Sequence, residues 1–257
     1  MKVIVTGGEG FIGKALALAL NKRGIEVVSV DRINGMEAGE FFISADLSDV
    51  SCVYHLAAQT SVFNNNKSDI LHDNFEVFKI VCDACARQGV KLVYASSSTA
   101  SEGNTTSLYG ISKRFNEDYA RCYCPSAVGV RFHNVYGPQP RHGTLLWFLL
   151  NNERVKLYNN GRNLRHFTWI GDIVDALLFA TESDIPLMNA ANSELISTLH
   201  LAEMVCKYKP VEIELVAEIR DFDRKEQSVN ESVYTVPLQY TSVAEGIKMI
   251  FSDEQKK

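Results

Sequence analysis

The chain has 257 residues, is 46% apolar and carries a formal net charge of −5. That length suits one large α/β domain, or a domain with a small lobe. No run approaches the roughly 20 apolar residues of a membrane-spanning helix, and the scattered charges offer no footprint for nucleic acid or an anionic membrane. The first residues already read as strand, which leaves no room for a signal peptide, so a cytoplasmic location is expected.

Residues 1 to 13, MKVIVTGGEGFIG, set a β-branched run before a glycine-rich turn. KALALALNKRG follows, with a helical stripe at Ala15, Leu16, Ala19 and Leu20. Strand, glycines and helix in that order bind phosphate: the unpaired amides of a helix start face the anion, and the helix dipole adds to them. Gly8, Gly10 and Gly13 fit Gly-x-Gly-x-x-Gly, and Gly7, Gly10 and Gly13 fit a wider spacing; both readings stand. Gly7 and Gly10 would let a pyrophosphate approach the main chain, Gly13 would let the helix lie close on the strand, and Phe11 and Ile12 share that helix start. A second strand, IEVVSV, ends in Asp31, whose carboxylate can accept both ribose hydroxyls of an adenosine and would repel a 2′-phosphate. NAD is therefore favoured over NADP. Arg32 keeps NADP open, because an arginine can stack on adenine or bind that phosphate.

Strand-like runs recur at CVYHLAA, KLVYASSS and SAVGVRF with helical stretches between several of them. The alternation predicts an α/β fold with a doubly wound parallel sheet, whose ligands lie across the carboxyl ends of the strands. From about residue 138 the pattern changes to GPQPRHGTLLWFLLNN, then to the basic and aromatic GRNLRHFTWIGDIVDALLFA. The expected organisation is a dinucleotide-binding domain over 1–137, with a sheet-completing return around 165–192, and a small substrate lobe over most of 138–257. A late helix is expected at LISTLHLAEMVCKY, capped by Ser197.

Chemistry concentrates at two of these strand ends. YASSSTA closes its strand in Ser96, Ser97, Ser98 and Thr99, and Tyr109 follows Ser97 by twelve residues in YGISK, with Lys113 four residues further on. Tyrosine and lysine at i and i+4 share a helix face. A phenol with a pKa near 10 is a poor base at neutral pH, but a nearby ammonium lowers that value. A serine hydroxyl at the adjacent strand end can then share the proton and orient a substrate oxygen. The six cysteines include Cys82 with Cys85 and Cys122 with Cys124, a set that could form a four-thiolate zinc site by count alone. Neither pair lies on a knuckle-like loop, so reduced cysteines and no metal are expected. His133 and His166 read as packing or rim residues.

Together these residues resemble the extended short-chain dehydrogenases/reductases, the NAD-dependent epimerase/dehydratase branch typified by UDP-galactose 4-epimerase. VTGGEGFIG, DLSD at 46–49, HLAAQTSV at 55–62, YASSS, YGISK, VRFHNVYGP at 130–138 and RHFTWIGDIVDA at 165–176 fall in the family's order. The resemblance implies a Rossmann fold, a bound NAD and a nucleotide-diphosphate sugar as substrate. It implies that Asp46 and Leu47 flank the adenine, that Leu56, Ala57 and Ala58 line the pyrophosphate and nicotinamide side, and that Asn74 lies near the cofactor. Aligned by strand end, Ser97 matches the catalytic Ser/Thr, with Ser98 second and facing the substrate. Tyr109 matches the catalytic acid/base and Lys113 the residue that holds the nicotinamide ribose. Asn134 matches a sugar-nucleotide contact and Arg165 a partner of the diphosphate, with Arg141 and Arg162 weaker candidates for the same anion. A homodimer is implied as well, through the helices carrying Asn74 to Arg87 and Tyr109 to Cys122, whose apolar positions Phe75, Phe78 and Val81 read equally well as core. The family's role in polysaccharide biosynthesis completes the expectation.

The chain departs from the family in three places. Only eight residues separate Asp46 from His55, so one crossover is expected to be a direct loop. TASEGNTTSL replaces a longer excursion that normally lines the substrate pocket, and the C-terminal lobe is trimmed. The acids that a 4,6-dehydratase carries after its catalytic serine are Ser98 and Thr99 here, and the cysteine of the 3,5-epimerase/reductases is absent. What remains is C4 epimerisation with NAD recycled, or reduction of a 4-keto sugar by NAD(P)H. A reading of another class is a cofactor-binding sensor or scaffold without catalysis.

Overall fold

The computed structural model describes residues 1–60, 66–101, 107–220 and 223–254. The first half alternates strand and helix: β1 Lys2–Thr6, α1 Phe11–Lys22, β2 Glu26–Val30, α2 Ala38–Ser44, β3 Val50–His55, α3 Lys67–Ile70, α4 Val77–Gln88, β4 Lys91–Ser97, α5 Leu108–Tyr123 and β5 Val128–Phe132. A π-helical turn, Leu71–Glu76, joins α3 to α4. There follow β6 Val135–Tyr136, α6 Leu145–Asn151, β7 Arg154–Tyr158, β8 Leu164–His166, β9 Thr168–Trp169, α7 Ile170–Thr181 and β10 Leu187–Ala190. The chain ends with β11 Leu195–Ser197, α8 Thr198–Cys206, β12 Glu212–Val216, β13 Glu226–Gln227, β14 Tyr234–Thr235 and α9 Val243–Glu254. Ser197 caps α8 by accepting the His200 N–H.

Seven strands form one parallel sheet in the order β14-β10-β5-β4-β3-β1-β2. Successive strand residues point to opposite faces. In β1, Val3 and Val5 enter the core beneath α1 and α7, while Ile4 enters the core beneath α2, α4 and α5. Both faces are covered, which is why these strands read as continuous apolar runs. The order reverses at β1, between β2 on one side and β3 on the other, and such a switch opens a crevice at the carboxyl ends of the strands. A third core, built from Leu146 and Leu149 of α6, Leu157 of β7, Leu201 and Val205 of α8, and Ile247 of α9, forms a smaller unit beside that crevice.

Asp46 runs into β3 through a short loop, as expected, and the helix that links β2 to this point, α2, lies before Asp46. The sheet also gains β14, from well beyond residue 192. Phe78 and Val81 are fully buried in the core under α4, and Phe75 packs on Phe115 with ring centroids 4.9 Å apart, so the first two cannot meet a partner. Half of TASEGNTTSL, residues 102–106, lies outside the described residues, as do Ser61 and Val62 of HLAAQTSV. Cys82, Cys85 and Cys124 are buried, and among the described residues no group of three or more His, Cys, Asp or Glu could hold a metal ion.

Candidate active site

A cleft of about 970 Å³ runs along the carboxyl ends of the strands, at the upper end of the range of small-molecule sites. Its first wall is the turn between β1 and α1. Gly7 has φ +68, and a Cβ there would stand 2.8 Å from the Ala57 nitrogen. A Cβ on Gly13 would collide with the Gly7 carbonyl oxygen, so this side of α1 must be bare. Gly10 caps α1 without a side chain, and Phe11, Ile12 and Gly13 present the first turn of the helix to the cleft. Leu56, Ala57 and Ala58, at the end of β3, form the facing wall. Thr6 anchors that wall: its carbonyl accepts the Leu56 N–H at 3.1 Å and its hydroxyl the Ala57 N–H at 3.2 Å.

Asp31 lines the cleft at the end of β2, with its carboxylate fixed by the N–H groups of Glu9 at 3.1 Å and Ile33 at 3.0 Å. Arg32 donates to both oxygens of Asp73, at 2.9 and 2.5 Å, and to Glu37 at 3.1 Å. Burial opposes ionisation of Asp73, yet hydrogen bonds from Arg32, His72 and Gln59 hold its carboxyl down at about 2. Asp46 and Leu47 do not line the cleft, contrary to the expectation by resemblance. Leu47 is buried in the core beneath α2 and α4, and Asp46 caps the Ser48 N–H from an exposed loop. Asn74 holds the wall from behind: it accepts the Gln59 N–H at 2.7 Å, donates to the Gln59 carbonyl at 2.9 Å, and donates to Ser112 of α5 at 3.0 Å. Met36, Glu37 and Ala38 line this end instead. Their signal was their place between the end of β2 and the first residue of α2.

The strand-end serine, the tyrosine and the lysine converge at the cleft floor. Ser97 ends β4 and accepts from the Thr99 N–H at 3.2 Å and the Thr99 hydroxyl at 2.8 Å. Ser107 caps α5 through the Gly110 N–H, and the bare Gly110 lets the first turn of α5 press on the Thr99 carbonyl. Tyr109 is thereby brought up to Ser97 on the cleft wall. Lys113 donates to the Ala95 carbonyl at 2.8 Å, with its ammonium 5.9 Å from the Tyr109 ring centroid. Burial pushes Lys113 down to about 8, partly offset by the charge of Glu117. Burial also raises Tyr109, against the opposing pull of Ser97 and Arg141. The expected lowering of the phenol therefore does not arise from the protein alone. Beneath the triad, Glu117 receives two bonds from Arg131, both 2.7 Å, and one from Ser96 at 2.5 Å.

The far end of the cleft combines residues distant in sequence. Ser98 is buried and accepts from Gln227 of β13 at 2.7 Å. Asn134 follows β5, exposed on the cleft wall. Arg141 lines the cleft and bonds the Thr60 hydroxyl across it. Arg165 of β8 donates to Asp223 at 2.6 Å and to the Leu164 carbonyl at 2.7 Å. Arg220 donates to the other Asp223 oxygen at 2.9 Å and stacks 4.2 Å over Tyr158. Arg224 joins them on the wall, whereas Arg162 is exposed outside it. Arg220, Asp223, Arg224 and Gln227 were missed in the sequence, where they sit in an aperiodic stretch. His133 lines the cleft, and burial drives it down to about 3. Its ring meets that of His166 edge-on at 5.4 Å, and His166 is held 2.7 Å from the Asn192 carbonyl outside the wall.

A doubly wound parallel sheet that opens its switch point on a glycine turn is the Rossmann architecture. Residues 3–190 match the model of the NAD dependent epimerase/dehydratase family, and the chain belongs to that family. Among solved structures it is similar to TunA, an NAD dependent-NDP-hexosamine 5,6-dehydratase of tunicamycin biosynthesis, at 26% identity over 100% of this chain and 98% of that one, TM-score 0.84. MoeE5, in complex with UDP-glucuronic acid and NAD, is 24% identical over 100% and 99% of the two chains, TM-score 0.84. A UDP-glucuronic acid 4-epimerase from Bacillus cereus, in complex with UDP-glucuronic acid and NAD, is 23% identical over 100% and 99%, TM-score 0.79.

Proposed function

We propose that this chain is a nucleotide-sugar 4-epimerase that keeps NAD bound and recycles it, with the sheet unit holding the cofactor and the smaller unit the substrate. The observation that carries the reading is the convergence of Ser97, Tyr109 and Lys113 on one floor, between the bare glycine cradle and the arginines around Asp223. The cradle fits a dinucleotide: a Cβ at Gly7 or Gly13 would collide with main chain, so both stay bare and the first turn of α1 lies close against the strand end, where a pyrophosphate can approach the backbone. NAD, when bound, supplies the acceptor and donor of the C4 hydride.

Tyr109 takes the proton of the 4-hydroxyl as the C4 hydride leaves, and returns it when the hydride comes back to the other face. Ser97, beside the phenol on the same floor, orients the same oxygen. Lys113 places a cation beside the ring and favours the phenolate that must form. Arg165, Arg220 and Arg224 suit a diphosphate, since guanidinium forks match phosphate oxygens. Arg141 puts a further cation close enough to act on Tyr109, and among the described residues no carboxylate pairs with it. A sugar carrying a carboxylate, as in the glucuronic acid bound by two of the relatives, would meet it there.

Incubation of the purified protein with UDP-hexoses and UDP-hexuronic acids, without added cofactor, should give C4 inversion by proton NMR. Inversion of none of them would overturn the reading, and stoichiometric loss of added NADH or NADPH would replace it by a 4-keto-sugar reductase. A homodimer, a cytoplasmic location and a place in polysaccharide assembly belong to the same proposal; light scattering tests the first.

A further inference from the structure

Arg32 directly follows the residue expected to meet the adenosine ribose, and an arginine at that place is a ready partner for a 2′-phosphate. In this structure its guanidinium is engaged elsewhere. Nη1 and Nη2 form a fork on Asp73, and Nη2 also bonds Glu37. Asp73 is itself fixed: Gln59 donates to it at 2.7 Å, His72 Nδ1 lies 2.9 Å away, and its side chain is 11% exposed. It sits in the π-helical turn between α3 and α4, a local widening of the helix of the kind found at functional sites. Asp31, Glu37 and Asp73 all line the cleft around this arginine, so carboxylates outnumber the cation there.

We propose that Asp73, assisted by Glu37, sets cofactor specificity: it holds Arg32 away from the ribose 2′ position, so that Asp31 faces a 2′-hydroxyl and a 2′-phosphate finds the arginine's donors already taken. The inference rests on the NAD reading above and deepens it. Asp31 is the expected selector in the sequence; the structure adds that a residue 41 positions beyond Arg32 decides whether that arginine can work against it.

The test measures NAD+ and NADP+ affinities by calorimetry on the full chain stripped of cofactor. Asp73→Asn keeps an acceptor for Gln59 but removes the charge, and Asp73→Asn/Glu37→Gln leaves Arg32 without either carboxylate. The parent should prefer NAD+, and the double variant should narrow the ratio of the two dissociation constants about tenfold or more by tightening NADP+, the scale of one charge-assisted fork. Adding Arg32→Ala should cancel the gain. An unchanged ratio with NAD+ still bound overturns this inference alone, as does a gain that survives Arg32→Ala. A parent that binds NADP+ as well as NAD+ overturns it too. Failure of the parent to bind NAD+ overturns the proposed function along with it. Glu37→Gln alone, on the more exposed side of the network, should move the ratio the same way by less.

Discussion

At one end of the cleft the wall is main chain. Gly7, Gly10 and Gly13 shape it, the first turn of α1 supplies its donors, and Ala57 and Ala58 face it with almost no side chain. At the other end the wall is side chain: Arg165 comes from β8, Arg220 and Asp223 from the segment after β12, Gln227 from β13 and Arg141 from the loop before α6. A backbone site depends on absent atoms and tolerates no addition. A side-chain site depends on charged groups that hold one another in place, as Asp223 holds Arg165 and Arg220. The first kind suits a constant ligand, and the second can be rebuilt for different sugars without disturbing the sheet.

The largest effect should come from the floor that both ends share. Glu117→Gln leaves Arg131 buried beside a neutral partner, where the two side chains are now only 5% and 7% exposed. Loss of about 3–5 kcal/mol is expected, measured by denaturant unfolding; a change near zero would mean that the pair does not tie β5 to α5. At the backbone end, Gly13→Ala drives a methyl into the Gly7 carbonyl and should cost roughly 1–3 kcal/mol. It should also abolish NAD binding in calorimetry, and retained binding would break the contrast between the two ends.

At the side-chain end, Arg165→Ala should raise KM for a nucleotide sugar about 10-fold to 100-fold with little change in kcat or NAD affinity. An equal fall in NAD affinity would place Arg165 in the wrong half. A pH dependence is expected at Lys113, which folding moves from 10.5 to about 8. Between those values the unfolded chain binds more protons, so this group destabilises the fold fully below about pH 8 and ceases to do so above 10.5. The stability advantage of Lys113→Met over the parent should therefore shrink as pH rises through that window. A constant difference would mean that the lysine is not desolvated.

The same contrast explains what could be read in the sequence. VIVTGG and YGISK carry local signals: an apolar run, bare positions, two side chains one helical turn apart. The structure buries the apolar run in the sheet and places Gly7, Tyr109 and Lys113 on the cleft. Arg220 and Asp223 lie on irregular backbone, and the return of β13 beside β8 brings Gln227 to Ser98. Asp46 and Leu47 show the reverse failure. Their motifs are in the expected places, but the chain beyond β2 turns so that Met36 to Ala38 line the cleft, while Asn74 supports the Gln59 main chain from behind.

The central claim is that a backbone cradle and a separate proton-transfer floor work on one bound sugar. Tyr109→Phe measures it most directly, with NAD+ affinity by calorimetry and C4 inversion by NMR in the same preparation. Affinity should be unchanged and turnover lower by about 10²-fold to 10⁴-fold. Inversion at the parent rate, with NAD+ still bound, would contradict it.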